Sequence, residues 1–318
     1  MVFAVVLVLA TLIGCTASDD RSKIADDGPL EENRIKVAAL NTVDFVPLRL
    51  AQERGYFKAE GLEVDVIDAG SDQASTSKLV NGDVDLALSS YLGLFAARNN
   101  DSADIKIIAG NSVVSTRSSV VATTPVSSVK SMNGLAGKRI AIVGLGTASH
   151  LLTISTMMDH RVAADKVKWV AMPSADVATA LAAGDVDAAY LTEPYLIQAS
   201  KLVGAIPVAD ISTGSTQNFP LTGYGALGEF ARSNPRTVAA FQRALTKAVR
   251  DTADRPAVER LLVKYANLDK DTASLAILPE FESLLDARRQ QRVPDLLLRT
   301  GMIAARFDAA PMLVPQAG

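Results

Sequence analysis

Leu79-Val80-Asn81-Gly82-Asp83-Val84-Asp85-Leu86-Ala87-Leu88 returns, 102 positions later, as Leu181-Ala182-Ala183-Gly184-Asp185-Val186-Asp187-Ala188-Ala189-Tyr190. Each copy follows a stretch of helical character and runs into a short apolar segment, so each reads as helix, Gly-Asp turn and buried strand. Gly82 and Gly184 stand where a helix ends in a left-handed residue, a conformation that costs little without a Cβ. The two Asp residues of each copy then flank Val84 or Val186 where the strand begins. Two copies at domain-sized spacing imply two similar α/β lobes, and two facing lobes enclose a cleft.

Working outward, strands and helices alternate. Strands are expected at 35–40, 63–68, 84–89 and 105–109, with helices beginning at Leu48 and covering 72–81 and 91–99. After Thr124-Pro125 the pattern restarts: strand 138–143, the loop Gly144-Leu145-Gly146-Thr147, helix 148–161, strand 167–172, helix 175–183 and strand 186–191. Alternation at this spacing gives right-handed βαβ units and a mostly parallel sheet. Ile211 to Thr222, with Pro220, reads as a return linker. Beyond it the chain turns helical. Asn234-Pro235 reads as N-cap and first helical residue of a helix to about 254, with further helices at 256–266, 270–285 and 293–305. This C-terminal third has no further αβ restart and is expected to pack on the first lobe.

A chain of 318 residues with 48% apolar content can bury the core of two domains. Net charge is −3 and no basic block stands out, which argues against nucleic acid as a partner. Met1 to Ile13 is an uncharged apolar run of signal-peptide length, too short to span a bilayer comfortably. It leads into Leu12-Ile13-Gly14-Cys15, which resembles a bacterial lipobox and contains the single Cys of the chain. A lone Cys in that position fits a lipidated anchor better than a disulfide. Thr16 to Asn33 is polar and acidic and reads as a flexible tether. The expected location is therefore the extracytoplasmic face of a bacterial cell membrane, held by a lipid.

The segment Val143-Gly144-Leu145-Gly146-Thr147-Ala148-Ser149-His150 places a strand end, a Gly turn and a helix start together, an arrangement suited to an anion. As a dinucleotide fingerprint it is incomplete. Ser149 replaces the third Gly, and no acidic residue closes the next strand. Nor is it a phosphate-binding Gly-Lys-Ser/Thr loop. His150 and His160 lack companions at metal-ligand spacing, so neither a metal nor a cofactor is expected. Asp83/Asp85 and Asp185/Asp187 sit at helix-to-strand turns, the sheet edge away from ligands in open α/β folds, and read as structural. Ligands gather at the strand carboxyl ends, which nominates Asn41, Thr42 and Phe45, Ser89, Ser90 and Tyr91, and Thr116 on the first lobe. On the second lobe the same rule nominates Gly146, Thr147, Ser149, His150, Glu193 and Tyr195. This lining is rich in hydroxyls, has a few aromatic faces and is expected to carry little fixed charge.

Taken in order, Gly55-Tyr56-Phe57…Glu60-Gly61-Leu62, Gly82-Asp83-Val84-Asp85, Gly137-Lys138, Gly146…Ser149-His150, Gly184-Asp185-Val186-Asp187 and Glu193-Pro194 resemble the substrate-binding proteins of ABC importers. The nearest branch holds aliphatic-sulfonate, taurine, nitrate and thiamine-precursor binders, and the likeness covers about 35–305. It implies a type II periplasmic-binding fold in which two αβ lobes are joined by two crossover strands. The lobes would be 34–121 with 223–318, and 122–222, after a signal at 1–15 and a tether at 16–33. It further implies a monomer that captures a small polar or anionic solute by lobe closure and delivers it to a permease and its ATPase. The alternative is an enzyme on the same fold, with His150 or Glu193 as acid or base.

Overall fold

The computed structural model describes residues 28–40, 42–99 and 103–317. The signal segment, Cys15, the first part of the tether and Asn41 lie outside the described residues. The chain opens with β1 (Arg34–Ala39), α1 (Val46–Glu53), α2 (Tyr56–Ala59), β2 (Glu63–Asp68), α3 (Asp72–Val80), β3 (Leu86–Ser90), α4 (Tyr91–Asn99) and β4 (Ile105–Val113). It continues with β5 (Ser119–Thr123), β6 (Arg139–Ile142), α5 (Ala148–Asp159), β7 (Lys168–Ala171), α6 (Val177–Ala183), β8 (Ala188–Thr192), α7 (Tyr195–Val203) and β9 (Ile206–Asp210). The last part comprises β10 (Pro220–Leu227), α8 (Gly228–Ser233), α9 (Pro235–Asp251), α10 (Arg255–Tyr265), α11 (Lys270–Leu275), β11 (Glu280–Phe281) and α12 (Ala287–Arg299).

These strands form two sheets, ordered β11-β4-β10-β3-β1-β2 and β7-β6-β8-β5-β9. Each is built on a parallel trio, β2-β1-β3 in one and β7-β6-β8 in the other. Against each trio lies one strand reached from the opposite sheet: β10 runs antiparallel to β3 and β4, and β5 antiparallel to β8 and β9. The chain therefore passes between sheets twice, at 114–118 and 211–219, somewhat earlier than the expected divisions at 121/122 and 222/223. The return linker expected to reach Thr222 is already strand from Pro220, paired with Val113.

The repeated decapeptide explains why the halves match. Gly82 and Gly184 adopt φ of 76° and 72°. The N–H groups of Gly82 and Asp83 bond back to the Leu79 and Lys78 carbonyls, and those of Gly184 and Asp185 to Leu181 and Ala180. Both helices thus end in the same left-handed, doubly bonded cap. The second Asp of each copy then clasps the middle strand of its parallel trio, β1 or β6. Asp85 N–H donates to Lys36 O at 3.0 Å while its carboxylate accepts from Lys36 N–H at 2.7 Å. Asp187 does the same with Arg139, at 2.8 Å in both directions. Arg139 adds side-chain bonds to the Asp187 carboxylate and to Gly184 O.

Apolar helix faces cover the first sheet on both sides. Val238, Phe241, Leu245 and Ala248 recur at helical spacing along α9 and are buried with α1, α10, Leu86, Leu88 and Tyr224. Each large side chain so buried contributes about 1.5–3 kcal/mol. On the opposite face α4 lies so close to β10 that a Cβ at Gly223 would meet the Tyr91 ring at 2.5 Å. Helices α9 and α10 pack against α1 and α11 against α10, whereas α12 also reaches the second connection: Arg292 donates to Asn218, Gln217 and Ser215 carbonyls.

Three elements differ from expectation for identifiable reasons. Asn234 precedes α9, but its side chain bonds to Phe230 O, and the Arg236 and Thr237 N–H groups are accepted by the Glu31 carboxylate. Partial burial pushes the Glu31 pKa up, yet these amides and Arg236 hold it below its ordinary value. The expected tether is accordingly pinned at its end, where Leu30 also packs on the core. The helix expected at 270–285 stops at Leu275. Arg255 takes up the carbonyls of Ala273, Ser274 and Ala276, and Pro279 favours extended chain into β11. The last helix spans 287–299 rather than 293–305 because Asp286 caps it through Arg289 N–H.

The Asp187 carboxyl is held below its ordinary 3.8 first by the Arg139 side-chain bonds and then by the Arg139 amide, against a smaller desolvation cost. Asp187→Asn is expected to lower stability by about 1–2 kcal/mol at neutral pH. Because the folded pKa is depressed, the difference from the native chain should be full above pH 3.8 and disappear as pH falls through the folded value. Denaturant melts across that pH range check it.

Candidate functional site: a cleft between the two sheets

A cavity of about 680 Å³ opens between the carboxyl edges of the two sheets. The first lobe contributes Leu40, Thr42 and Asp44 after β1, Asp68, Gly70, Ser71 and Asp72 after β2, Ser90 from β3, and Leu221 and Thr222 from β10. The second contributes Val143, Thr147, Ala148 and Ser149 after β6, Ala171 to Ala175 after β7, and Tyr190, Thr192 and Tyr195 at the end of β8. The strand edges obey the general rule for open α/β sheets, and the helix starts beside them narrow the opening.

Three carboxylates stand on the first wall: Asp44, Asp68 and Asp72. The hydroxyls of that wall point at them. Asp44 Oδ1 lies 2.7 Å from Ser112 Oγ and 3.0 Å from Thr222 Oγ1, which contact each other at 2.6 Å, so one of the two gives its proton to the carboxylate, and Oδ2 accepts from Thr42 at 3.1 Å. Burial pushes the Asp44 carboxyl up, the three hydroxyls oppose that shift, and the neighbouring Asp72 charge adds to it. Asp72 accepts on Oδ1 from Ser89 Oγ and Ser90 N–H and on Oδ2 from Ser90 Oγ, each at 2.6 Å. Asp68 accepts Gly70 N–H at 2.9 Å. The expectation of little fixed charge is thus corrected. No Lys, Arg or His is among the described residues lining the cavity.

The second wall is apolar and hydroxylic. Thr147 Oγ1 donates to Gly144 O at 2.7 Å, Ser149 Oγ accepts Val143 N–H at 3.0 Å, and the two hydroxyls contact each other at 2.8 Å. If Thr147 gives its proton to Gly144, Ser149 gives its own to Thr147, so both are used inside the turn. Across the cleft, Tyr195 senses the charge of Asp68 and Tyr190 that of Asp44. Burial is the larger cause in each case, raising Tyr195 above its ordinary value and Tyr190 to about 12.

Of the residues nominated from sequence, Thr42, Ser90, Thr147, Ser149 and Tyr195 line the cavity, and Asn41 lies outside the described residues. The others stand off the wall. Phe45 is buried in the core beneath α1, edge-on to Tyr265. Tyr91 fills the space over Gly223 in the core. Ser89 is buried behind Asp72, bonded also to Thr76. Thr116 is exposed in the turn of the first connection. Gly146 donates its N–H to His150 Nδ1 at 3.1 Å, and the His150 ring meets Trp169 edge-on at 4.7 Å. Burial lowers the His150 pKa. Glu193 is buried, accepting from Ile197 N–H at 3.1 Å and Ile277 N–H at 3.4 Å, with its pKa raised by desolvation. It ties the start of α7 to the C-terminal segment. Sequence reading overlooked the edges after β2 and β7, which supply two of the three acids and the 171–175 stretch. The same rule that nominated the other strand ends would have found them.

The NMT1/THI5 like family model matches residues 42–258. No curated protein sequence matches. Among solved structures, the alkanesulfonate-binding protein SsuA of Xanthomonas axonopodis pv. citri, bound to MOPS, superposes with TM-score 0.77 at 18% identity, covering 90% of this chain and 99% of that one. The periplasmic aliphatic sulphonate binding protein SsuA of Escherichia coli gives 0.76 at 17% identity, covering 88% and 97%. The periplasmic nitrate-binding protein NrtA of Synechocystis PCC 6803 gives 0.76 at 14%, covering 90% and 86%. The two-sheet fold is therefore that of periplasmic binding proteins.

Ser149→Ala removes the acceptor of Val143 N–H and is expected to cost about 1 kcal/mol. The measurement is the midpoint of chemical unfolding, and an unchanged midpoint would show the turn is held otherwise.

Proposed function

The chain belongs to the NMT1/THI5-like family, and on that premise we propose that it is the extracytoplasmic solute-binding component of an ABC importer. The observation that carries this reading is the cavity of about 680 Å³ whose walls come from two separate sheets joined at 114–118 and 211–219. A solute held there touches both lobes only when they approach, so its affinity for the closed form exceeds that for the open one and closure follows binding. The closed form then hands the solute to a permease driven by its ATPase. Solved structures with this fold include a sulfonate-binding and a nitrate-binding protein, which supports solute capture in place of turnover. His150 and Glu193, the acid-base candidates of an enzymatic reading, are engaged behind the cleft wall.

Among the described residues no helix is long and apolar enough to cross a membrane. We propose that Cys15 carries a lipid after cleavage of the preceding apolar run and that the protein works as a tethered monomer. Two acyl chains suffice for stable anchoring where one does not.

A thermal-shift screen with organosulfonates, nitrate, pyrimidines, flavins and amines is expected to give a hit that also contracts the particle in small-angle X-ray scattering. A hit that binds equally to variants locked open and locked closed would refute capture by closure. Separately, Cys15→Ala is expected to move the protein from the membrane fraction to the soluble extracytoplasmic fraction, and continued membrane retention would refute the anchor.

A further inference from the structure

Acids on the first wall give the cleft a distinct electrostatic character. Hydrogen-bond accounting on its first wall shows what it can still take. A carboxylate offers about four acceptor sites, two on each oxygen. Ser112 and Thr222 use one of their two protons between themselves, so Asp44 takes one hydroxyl proton on Oδ1 and one on Oδ2, whereas Asp72 fills both sites of Oδ1 and one of Oδ2. Each therefore keeps an acceptor site on Oδ2, and both residues line the cavity. Many of the hydroxyls that elsewhere would greet an anion are spent. Ser112, Thr222 and Thr42 serve Asp44, Ser89 and Ser90 serve Asp72, and Thr147 bonds within its own turn. An anionic solute would lie beside Asp44 and Asp72, with no Lys, Arg or His among the described residues lining the cavity.

Opposite the acids stand Tyr190, Tyr195 and Met172, surfaces that accept an apolar or cationic body. Among the described residues no group of His, Cys, Asp or Glu is placed to hold a metal ion, so the acids are arranged for a ligand larger than a bare ion. We propose that the solute captured here is a small organic cation bearing N–H donors, an ammonium or amidinium on an apolar body. Its donors bond to the open Oδ2 sites of Asp44 and Asp72, with Asp68 at the rim and the body against Tyr190 and Tyr195. This rests on the solute-capture reading and specifies its substrate class.

The test is calorimetric titration of the purified full chain with benzylamine, benzamidine, the neutral isostere benzyl alcohol, benzenesulfonate and nitrate. The two cations are expected to bind, to bind at least about tenfold more tightly than benzyl alcohol, and to weaken as ionic strength rises. Asp44→Asn and Asp72→Asn are each expected to lower cation affinity about tenfold or more. Asp83→Asn, the same change of charge at an exposed turn away from the cleft, leaves it unchanged. The salt dependence needs no variant and so stands even if Asp72→Asn perturbs α3. Tighter binding of benzenesulfonate or nitrate than of the cations overturns the charge assignment while leaving solute capture intact. Cation binding indifferent to salt and to both Asp variants also overturns it. Failure of every probe, with no contraction of the particle by any solute, removes both readings.

Discussion

One backbone clasp sets the geometry on which everything else rests. In each lobe the Asp that stands three residues after a left-handed Gly, just before the strand, bonds reciprocally, through its amide and its carboxylate, with the middle strand of the parallel trio. The clasp fixes the register of β3 against β1, and of β8 against β6, at their amino ends. Parallel strands in fixed register bring their carboxyl ends to a common edge, and the cleft is the space between two such edges. A one-residue slip would turn every side chain of these strands to the other face. It would withdraw Ser90 from Asp72 in one lobe and Tyr190 from the cleft in the other.

The cleft walls are chemically unlike despite their matching backbones. The first wall gathers negative charge, and surrounding hydroxyls stabilise it against desolvation. The second wall uses the Thr147 and Ser149 hydroxyls to close the Gly144–Ser149 turn and presents apolar, aromatic and hydroxyl-bearing surface to the cavity. The division follows from topology. The edges after β1 and β2 end in acids, whereas the equivalent edges after β6 and β7 do not. Duplicated architecture thus supplies two similar frames, and the residues at the facing strand ends differ between them.

The C-terminal third gives the first lobe its cover and restrains the connections. Helix α9 buries one face of the sheet, and Glu31 from the start of the described chain caps it. Arg292 on α12 gathers three carbonyls of the second connection and lies over the Phe219 ring. The two connections between the sheets are therefore short segments with anchored ends.

Alternation of apolar strands with amphipathic helices, together with the Gly-Asp-Val-Asp echo, made the two αβ frames and most of their elements legible without coordinates, because those signals are local. The left-handed caps at Gly82 and Gly184 and the structural role of Asp85 and Asp187 were readable for the same reason. Partner choice between distant residues was not readable. Nothing local tells that Glu31 caps a helix about two hundred residues away, that Tyr91 and Phe45 face the core, or that Glu193 reaches Ile277. The charge of the cleft also belonged to tertiary structure. Asp44, Asp68 and Asp72 stand in a loop, at a strand end and at a helix start in the sequence, and only the packing of β1, β2, β3 and β10 brings them together against one cavity with the hydroxyls that hold them. Sequence by itself determined the periodicities that build two frames. Tertiary structure decided which side chains share the space between them, because electrostatics and hydrogen bonding act across distances that chain order does not encode.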